Sequence, residues 1–225
     1  MDKPELKLHD AISQVLFTED QIKNRIFELS ETINDDYKNK YPIFVGVLKG
    51  VFIFMADLLR QINIECDVDF LAISNYSNDA RKRGVVRLVK DLDIPIEGRH
   101  VLFIEDVIDT GLTLNYILRN LQERSPASLE VCTLFDKPTR RLIELPIRYK
   151  GFDLPDKFII GYGLDYAQKY RNLRGIYVLN EKGEEIFTFG KHKGKTVKEV
   201  LKSDTGYFGW IQNSEFPLYT KKVLK

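Results

Sequence analysis

Cysteine and histidine are scarce in this sequence, which has two cysteines and three histidines among 225 residues. Cys66 and Cys132 stand in separate apolar runs, and no cysteines or histidines have the spacing of metal ligands, so we expect neither a disulfide nor a zinc site. No apolar run approaches the ~20 residues of a membrane span, and the start MDKPELKLHD does not resemble a secretory signal. These absences predict a cytoplasmic protein with no membrane partner.

The formal net charge of +1 is unevenly distributed along the chain. Residues 186–225 contain eight lysines against three acidic residues, a net charge of +5, which leaves −4 for residues 1–185. We therefore predict a large domain over residues 1–183 and a small basic module over residues 184–225. The acidic charge of the large domain argues against nucleic acid as its main partner.

Strand-like and helix-like segments alternate along the large domain, and residues 75–85 between two of them read as a mobile loop. Helical patterns follow Thr18, a candidate N-cap, and Gly50, and a third covers residues 112–124. The alternation predicts an α/β fold with an open, mainly parallel sheet and helices on both faces. The predicted strands are residues 42–48, 66–74, 85–92, 100–105 and 129–135, with residues 158–166 and 176–180 supplying further strands or a cap.

The segment VLFIEDVIDTGLT, residues 101–113, leads from a strand through a glycine turn into a helix. Ligands of open α/β sheets bind at the carboxyl ends of strands, and the first amides of a helix have no partner within it. Together with two hydroxyls and the helix dipole, these amides predict a phosphate site. The residues predicted to form it are Thr110, Gly111, Leu112 and Thr113.

Three carboxylates, Glu105, Asp106 and Asp109, precede this turn. Carboxylates repel phosphate, so we expect them to serve another part of the same ligand, such as sugar hydroxyls, a metal-shielded group or a proton. A phosphorylated sugar fits this pattern. An ordinary acidic helix cap is the simpler interpretation, but it needs only one carboxylate.

This segment resembles the phosphoribosyl-pyrophosphate (PRPP) motif of type I phosphoribosyltransferases, in particular the hypoxanthine-guanine branch. The resemblance covers roughly residues 8–180 and implies the fold of that family, with a small hood beside the sheet. It implies that Glu105 and Asp106 bind the ribose hydroxyls and a Mg²⁺ ion. It also implies that Asp109 lies near purine N7 as a general base, and that the turn holds the 5-phosphate.

Two more segments extend the resemblance. VGVLKGVFIF is similar to the pyrophosphate loop of the family, which implies a cis peptide between Leu48 and Lys49 and contacts of Lys49 and Gly50 with pyrophosphate. LFDKPTRR implies that Lys137 donates a hydrogen bond to the 6-oxo group of the purine, which distinguishes 6-oxopurines from adenine. Without the resemblance, a glycine turn and a surface lysine are the simpler interpretations.

The segment LPDKFIIGYGLDYAQKYRNL resembles the purine-binding hood of the family. The resemblance implies that Phe158 stacks on the base and that the backbone of Ile159 reads its Watson–Crick edge. Asp165 would support the Mg²⁺ ion, and Arg171 would meet pyrophosphate oxygens as a catalytic residue beside Asp109 and Lys137. Core packing is the alternative interpretation for the two apolar residues.

The polar loop matches the flexible lid of the family, where a Ser-Tyr pair closes over the site. Tyr76 matches the tyrosine, whereas Asn75 stands in place of the serine. An asparagine amide still hydrogen-bonds to phosphate, so both residues are predicted to bind substrate.

The implied activity is purine salvage. The 5-phosphoribosyl group of PRPP would pass to hypoxanthine or guanine in a Mg²⁺-dependent reaction, forming IMP or GMP and pyrophosphate. The family also implies a homo-oligomer, either a dimer or a tetramer. Two alternatives stay open: a PRPP-binding regulator that binds nucleic acid through the basic tail, and a transferase for xanthine or another base.

Residues 186–225 resemble the module at the C-terminus of exodeoxyribonuclease X-like proteins, and we expect a small α+β extension. Lys191, Lys193 and Lys195 surround a glycine turn with aromatic residues nearby, a pattern typical of contacts with single-stranded nucleic acid. A solvated basic hairpin with an aromatic core is the competing interpretation.

Overall fold

The computed structural model describes residues 12–75, 86–179, 190–192, 200, 202–204, 206, 207 and 209. The chain divides into two compact units, and the larger one is Gln14–Val178. Tyr76, most of the predicted mobile loop and the predicted domain boundary between residues 183 and 184 lie outside the described residues. Within the described part, no helix has the length and apolar character needed to cross a membrane.

Helices and strands alternate through the larger unit. The helices are α1 (Glu19–Asp36), α2 (Phe52–Leu59) and α3 (Leu112–Gln122). The strands are β1 (Ile12–Phe17), β2 (Ile43–Leu48), β3 (Asp67–Asn75), β4 (Val86–Lys90), β5 (His100–Ile108), β6 (Ser128–Asp136), β7 (Ile147–Asp153), β8 (Ile159–Ile160) and β9 (Ile176–Leu179).

The main sheet has six strands in the order β4-β3-β2-β5-β6-β7. Its strands are parallel except β4, which runs antiparallel to β3. A smaller sheet has the order β1-β9-β8. The predicted α/β fold with a mainly parallel sheet is therefore confirmed, and the carboxyl ends of β2, β3, β5, β6 and β7 meet at one edge.

Alternating side chains of β5 face two separate cores, because successive residues of a strand point to opposite faces of the sheet. Leu102 and Ile104 join the cluster that contains the buried faces of α1 and α2. Val101 and Phe103 join the cluster that contains the buried face of α3. The helices therefore cover both faces of the sheet, as predicted.

Helix α1 begins where the sequence predicts. Thr18 is its N-cap, and a capping box joins its side chain and backbone to Gln21. The apolar face of α1 is buried, with Ile22, Ile26, Leu29 and Ile33 at most 4% exposed.

Strands β1 and β7 are not predicted by the sequence. β7 is an edge strand that pairs only with β6, and Arg148 and Lys150 break its apolar pattern with exposed charges. Arg25 of α1 donates hydrogen bonds to the carbonyls of Lys150 and Gly151, 2.7 and 3.1 Å away. This contact between distant parts of the chain gives carbonyls of the edge strand a side-chain donor.

Both cysteines are free thiols. Cys132 is buried on β6, and Cys66 is half-buried just before β3. Burial raises the pKa of each thiol, so both side chains stay protonated within the apolar core.

Asp69 is the buried charge of β3, with 5% of its surface exposed, whereas Val68 beside it is 38% exposed. Its carboxylate accepts hydrogen bonds from the amides of Phe70, Asp93 and Ile94 and from Lys90 Nζ, at 2.6 to 3.2 Å. Burial raises the pKa of Asp69, but these hydrogen bonds outweigh it and the net pKa is lowered. The carboxylate therefore holds the turn that follows β4 against the sheet.

We expect Asp69→Asn to lower the free energy of unfolding at pH 7 by about 2–3 kcal/mol, because charge-assisted hydrogen bonds to a buried group are lost. The folded-state pKa of Asp69 is depressed, so its contribution is present above the unfolded pKa and is lost as pH falls through the folded pKa. Urea unfolding of both proteins at pH 7 and below pH ~4 measures the difference, which should shrink in acid.

Asp67→Asn is the matched control on the same strand. Asp67 is exposed and pairs with Arg99 at 2.7 Å, so its loss should cost less than about 1 kcal/mol. Equal destabilisation by the two substitutions would show that the buried network around Asp69 is not the source of the effect.

Candidate active site

The turn between β5 and α3 has the geometry of an anion site. Gly111 is the N-cap of α3 with φ of +81°, and a methyl group there would lie 2.9 Å from Leu145 and 3.1 Å from Arg141. Both the backbone conformation and the close packing therefore require glycine. The amides of Leu112 and Thr113 begin an 11-residue helix, where the dipole favours negative charge.

The carboxylates before this turn lie within β5 and not after it. The predicted strand over residues 100–105 is too short, because β5 continues to Ile108. Val107 and Ile108 extend the pairing with Phe135 and Asp136 of β6. Glu105 and Asp106 are consequently held by a central strand, whereas Asp109 is the first residue beyond it.

Three segments meet at the Asp106 carboxylate. A methyl group at Gly50 would lie 1.8 Å from Asp106 Oδ2, and one at Gly163 would lie 2.2 Å from the carbonyl oxygen of Gly50. The peptide bond between Leu48 and Lys49 is cis, as the resemblance implies. The loop after β2 is thus packed between the acidic strand and the segment that contains Gly163.

Burial raises the pKa of Glu105 well above its ordinary value, and the neighbouring Asp106 charge raises it further. Burial also raises the pKa of Asp106, a shift that Arg171 opposes and that Asp165 reinforces. Two adjacent carboxylates that resist ionisation favour a cation as their partner. In the part of the chain that is described, no group of three His, Cys, Asp or Glu side chains forms a metal cluster.

Asp165 and Arg171 form an ion pair at 2.6 Å in the predicted hood. Arg171 also donates to the carbonyl of Gly163 at 2.7 Å, and Asp165 accepts from the amide of Gln168 at 2.8 Å. Both side chains act electrostatically on Asp106, so the hood residues are brought to the same region as the acidic strand.

Lys137 follows β6 and is only 7% exposed. Its amide donates to the carbonyl of Ile108 at 2.9 Å, and its ammonium group donates to the carbonyl of Lys157 at 2.8 Å. Burial lowers the pKa of Lys137, and the Asp109 carboxylate opposes this shift. The predicted base-reading lysine therefore lies beside the chain that leads into Phe158.

Phe158 and Ile159 differ in environment. The Phe158 ring is 54% exposed and meets Tyr166 edge-on, with ring centroids 5.5 Å apart. Ile159 is buried in β8 and pairs with Val178 of β9. The Phe158 ring is exposed enough to stack on a ligand, whereas the Ile159 side chain belongs to the core and only its backbone is suited to contact a base.

The remaining predicted residues lie at the ends of neighbouring strands. Lys49 is exposed in the loop after β2, and Asn75 is the last residue of β3, paired through its backbone with Val86. The Asn75 side chain and all of Tyr76 lie outside the part of the chain that the structure describes.

Four charged residues of this region are not predicted by sequence reasoning. Arg140 Nε lies 2.8 Å from Asp109 Oδ1, and Arg140 Nη1 lies 3.4 Å from Asp156 Oδ1. Arg141 pairs with the buried carboxylate of Asp136. The only signal in the sequence is the pair of arginines after Lys137, and its meaning depends on partners distant in the chain.

The sequence model of the phosphoribosyl transferase domain matches residues 16–167. The hypoxanthine-guanine phosphoribosyltransferase of Bacillus subtilis (strain 168) is 43% identical over 171 residues, 76% of this chain and 94% of that protein. The hypoxanthine phosphoribosyltransferase of Haemophilus influenzae is 47% identical over 172 residues, 74% of this chain and 96% of that protein.

A crystal structure of a hypoxanthine phosphoribosyltransferase from Staphylococcus aureus has a TM-score of 0.75 and 40% identity, covering 80% of this chain and 98% of that one. The fold and the strand-end site thus define a type I phosphoribosyltransferase. More particularly, the chain belongs to the hypoxanthine-guanine phosphoribosyltransferase family of purine-salvage enzymes.

The sequence model of the exodeoxyribonuclease X-like C-terminal family matches residues 187–215. Among the described residues of this C-terminal segment, Asp204 contacts Lys191 at 2.7 Å and His192 at 2.9 Å. The Tyr207 ring meets the His192 ring edge-on. The hydrogen bond from Lys191, followed by that from His192, lowers the pKa of Asp204 to about 2. Lys193, Lys195 and most of the segment for which an α+β extension is expected lie outside the described residues.

We expect Gly50→Ala to abolish measurable PRPP binding while the protein still folds. The new methyl group would overlap Asp106 Oδ2, so either the carboxylate or the loop after β2 must move. Titration calorimetry with PRPP, beside circular dichroism of both proteins, measures binding and folding separately.

Gly209→Ala is the control, because a methyl group at Gly209 meets nothing within 4 Å. It should bind PRPP like the unchanged protein. Wild-type affinity in Gly50→Ala would contradict the close packing at Asp106.

Proposed function

We propose that this enzyme transfers the 5-phosphoribosyl group of PRPP to N9 of hypoxanthine or guanine, with Mg²⁺, releasing pyrophosphate and forming IMP or GMP. The observation that carries the proposal is the buried ammonium group of Lys137, 2.8 Å from the Lys157 carbonyl beside the exposed Phe158 ring. The name of the Bacillus subtilis relative supports both bases, and that of the Haemophilus influenzae relative supports hypoxanthine.

Base recognition rests on Lys137 and Phe158. A lysine ammonium group only donates hydrogen bonds, so it suits the 6-oxo group of hypoxanthine or guanine and not the 6-amino group of adenine. Burial strengthens this preference, because a buried donor left without an acceptor is costly. The base would stack on Phe158 and meet the backbone of Ile159.

The ribose hydroxyls and the cation would both bind the carboxylates of β5. Mg²⁺ usually takes one or two carboxylates together with substrate oxygens and water, so Glu105 and Asp106 fit it without a third protein ligand. Asp165 would support the ion from the hood once it exchanges its contact with Arg171. When bound, the ion neutralises charge on the pyrophosphate and the two carboxylates.

The phosphates of PRPP would lie at two helix-associated loops. The turn of Thr110, Gly111, Leu112 and Thr113 would hold the 5-phosphate and so orient C1 of the ribose. Lys49, the amide of Gly50 and Arg171 would hold pyrophosphate and stabilise it as it leaves. Asn75 and Tyr76 would close over the site and exclude water.

In the reaction, the N9 lone pair forms a bond to C1 while the bond from C1 to the pyrophosphate oxygen breaks with its electron pair. C1 passes through oxocarbenium character, which the neighbouring carboxylates stabilise. The purine then carries an extra proton at N7. Asp109 would accept this proton, which leaves a neutral nucleotide base.

The first test offers hypoxanthine, guanine, xanthine and adenine in parallel with PRPP and Mg²⁺, with nucleotide formation as the readout. We expect product from hypoxanthine and guanine and none from adenine. We expect Lys137→Met to lower kcat/KM for hypoxanthine by about 10- to 100-fold, because a charged hydrogen bond to the base is lost.

Lys157→Met is its control, since Lys157 is exposed and contributes its carbonyl rather than its ammonium group to this site. It should leave kcat/KM unchanged. PRPP binding without product from any base would instead favour the regulator, and product from xanthine alone would favour the other transferase.

A second test addresses proton transfer. We expect Asp109→Asn to lower kcat by about 10²- to 10⁴-fold, the usual contribution of a general base, while KM for PRPP changes little. Steady-state kinetics with hypoxanthine measure both constants. Asp91→Asn, which removes an exposed carboxylate paired with Arg124 at 2.8 Å, should leave both unchanged. A normal kcat in Asp109→Asn would remove this residue from the proton-transfer role.

The homo-oligomer, the cytoplasmic location and a nucleic-acid contact of the C-terminal module stay predictions. The match of residues 187–215 to the exodeoxyribonuclease X-like C-terminal family is the observation that bears on the last of these. The module contains no cluster of carboxylates of the kind a nuclease needs, so nuclease activity is not part of the proposal.

A further inference from the structure

Arg140 joins the candidate general base to the segment that precedes the base-stacking ring. Its Nε lies 2.8 Å from Asp109 Oδ1, and its Nη1 lies 3.4 Å from Asp156 Oδ1. Asp156 is two residues before Phe158. One guanidinium group therefore contacts both sides of the region proposed to hold the purine.

The backbone around Arg140 is anchored to the phosphate turn. Arg140 is the last residue of a 3₁₀ turn, Pro138–Arg140, that follows Lys137. The amide of Lys137 donates to the carbonyl of Ile108 at 2.9 Å, and the amide of Leu142 donates to the carbonyl of Thr110 at 3.0 Å. These bonds lie on both sides of Asp109 in the sequence, so the position of Arg140 relative to Asp109 is set by the backbone.

The neighbouring cations have other partners. Arg141 pairs with the buried Asp136, and Lys137 donates to the carbonyl of Lys157. The Arg140 and Asp109 side chains are both about half exposed, so their ion pair adds little to the stability of the fold. Asp109 Oδ1 is buried and accepts no hydrogen bond from the described residues, so the nearby guanidinium charge restrains this oxygen as an ion pair.

We infer that Arg140 is a positioning residue for Asp109, an inference that rests on the proposed function. The charge of Arg140, with Nε 2.8 Å from the buried Asp109 Oδ1, would keep Oδ1 on the arginine side and so leave Oδ2 to face N7 of the purine. In the proton transfer, the N7–H bond breaks with its electrons staying on the ring, and a lone pair of Oδ2 forms the new O–H bond. Arg140 then keeps its contact with Asp156 while Asp109 is neutral.

The test compares Arg140→Gln and Arg140→Lys in steady-state formation of IMP. Misplacement of a catalytic group by about 1 Å costs up to ~10²-fold in rate, so we expect kcat in Arg140→Gln to fall by about 10- to 100-fold. KM for PRPP should stay within about twofold, because Arg140 contacts neither phosphate site. Arg140→Lys should recover part of kcat, since an ammonium group keeps the charge but not the planar fork.

A second readout separates positioning from a purely structural role. In the Asp109→Asn background, Arg140→Gln should cause no further loss of kcat, because residues that act as a unit are not additive. Arg119→Gln, an exposed arginine of α3, is the charge-matched control and should leave kcat and the thermal unfolding midpoint unchanged. The midpoint of Arg140→Gln should match it.

Each outcome bears on the inference. An equal, additive loss in the Asp109→Asn background, or an unchanged kcat in Arg140→Gln, would overturn the positioning role while leaving the transferase intact. Wild-type protein assayed in the same series identifies the other failure: if it forms no nucleotide from hypoxanthine or guanine, the proposed function is wrong and the inference fails with it.

Discussion

The burial of two neighbouring carboxylates on the central strand is the constraint on which the rest of the site depends. Glu105 and Asp106 lie on β5, between β2 and β6, where burial raises the pKa of both carboxyl groups and the Asp106 charge raises the pKa of Glu105 further. The loop at Gly50 and the ion pair of Asp165 with Arg171 are packed around this charge.

Two kinds of connection hold the site together. The turn proposed to bind phosphate is largely local, because strand, glycine and helix follow one another within residues 101–113. The region proposed to bind the purine is assembled from segments distant in the chain, since Lys137 after β6 donates to the carbonyl of Lys157, next to Phe158 in the sequence. The chain from Lys137 to Leu142 contacts both of these regions. It forms hydrogen bonds to Ile108 and Thr110 on one side and to Lys157 on the other.

Periodicity predicted the elements that are buried along their length. Helix α1 and strands β2, β5 and β6 have apolar patterns that only one secondary structure satisfies, and their positions are predicted to within a few residues. The edge strand β7 was not predicted because exposed charges interrupt its apolar pattern. It forms a strand only through its pairing with β6. The burial of Asp69 was not predicted either, because it depends on amide donors more than twenty residues away in the sequence.

The sequence by itself determined the α/β order, the carboxylates beside a phosphate turn and the family, because these depend on residues close together in the chain. Tertiary structure alone decided that β5 extends past both carboxylates, that Gly50 packs on Asp106 and that Arg140 reaches Asp109 and Asp156. The physical reason is the sequence separation over which each kind of interaction acts. Backbone propensity and apolar spacing act over a few residues, whereas ion pairs and close packing depend on segments that only the folded sheet brings together.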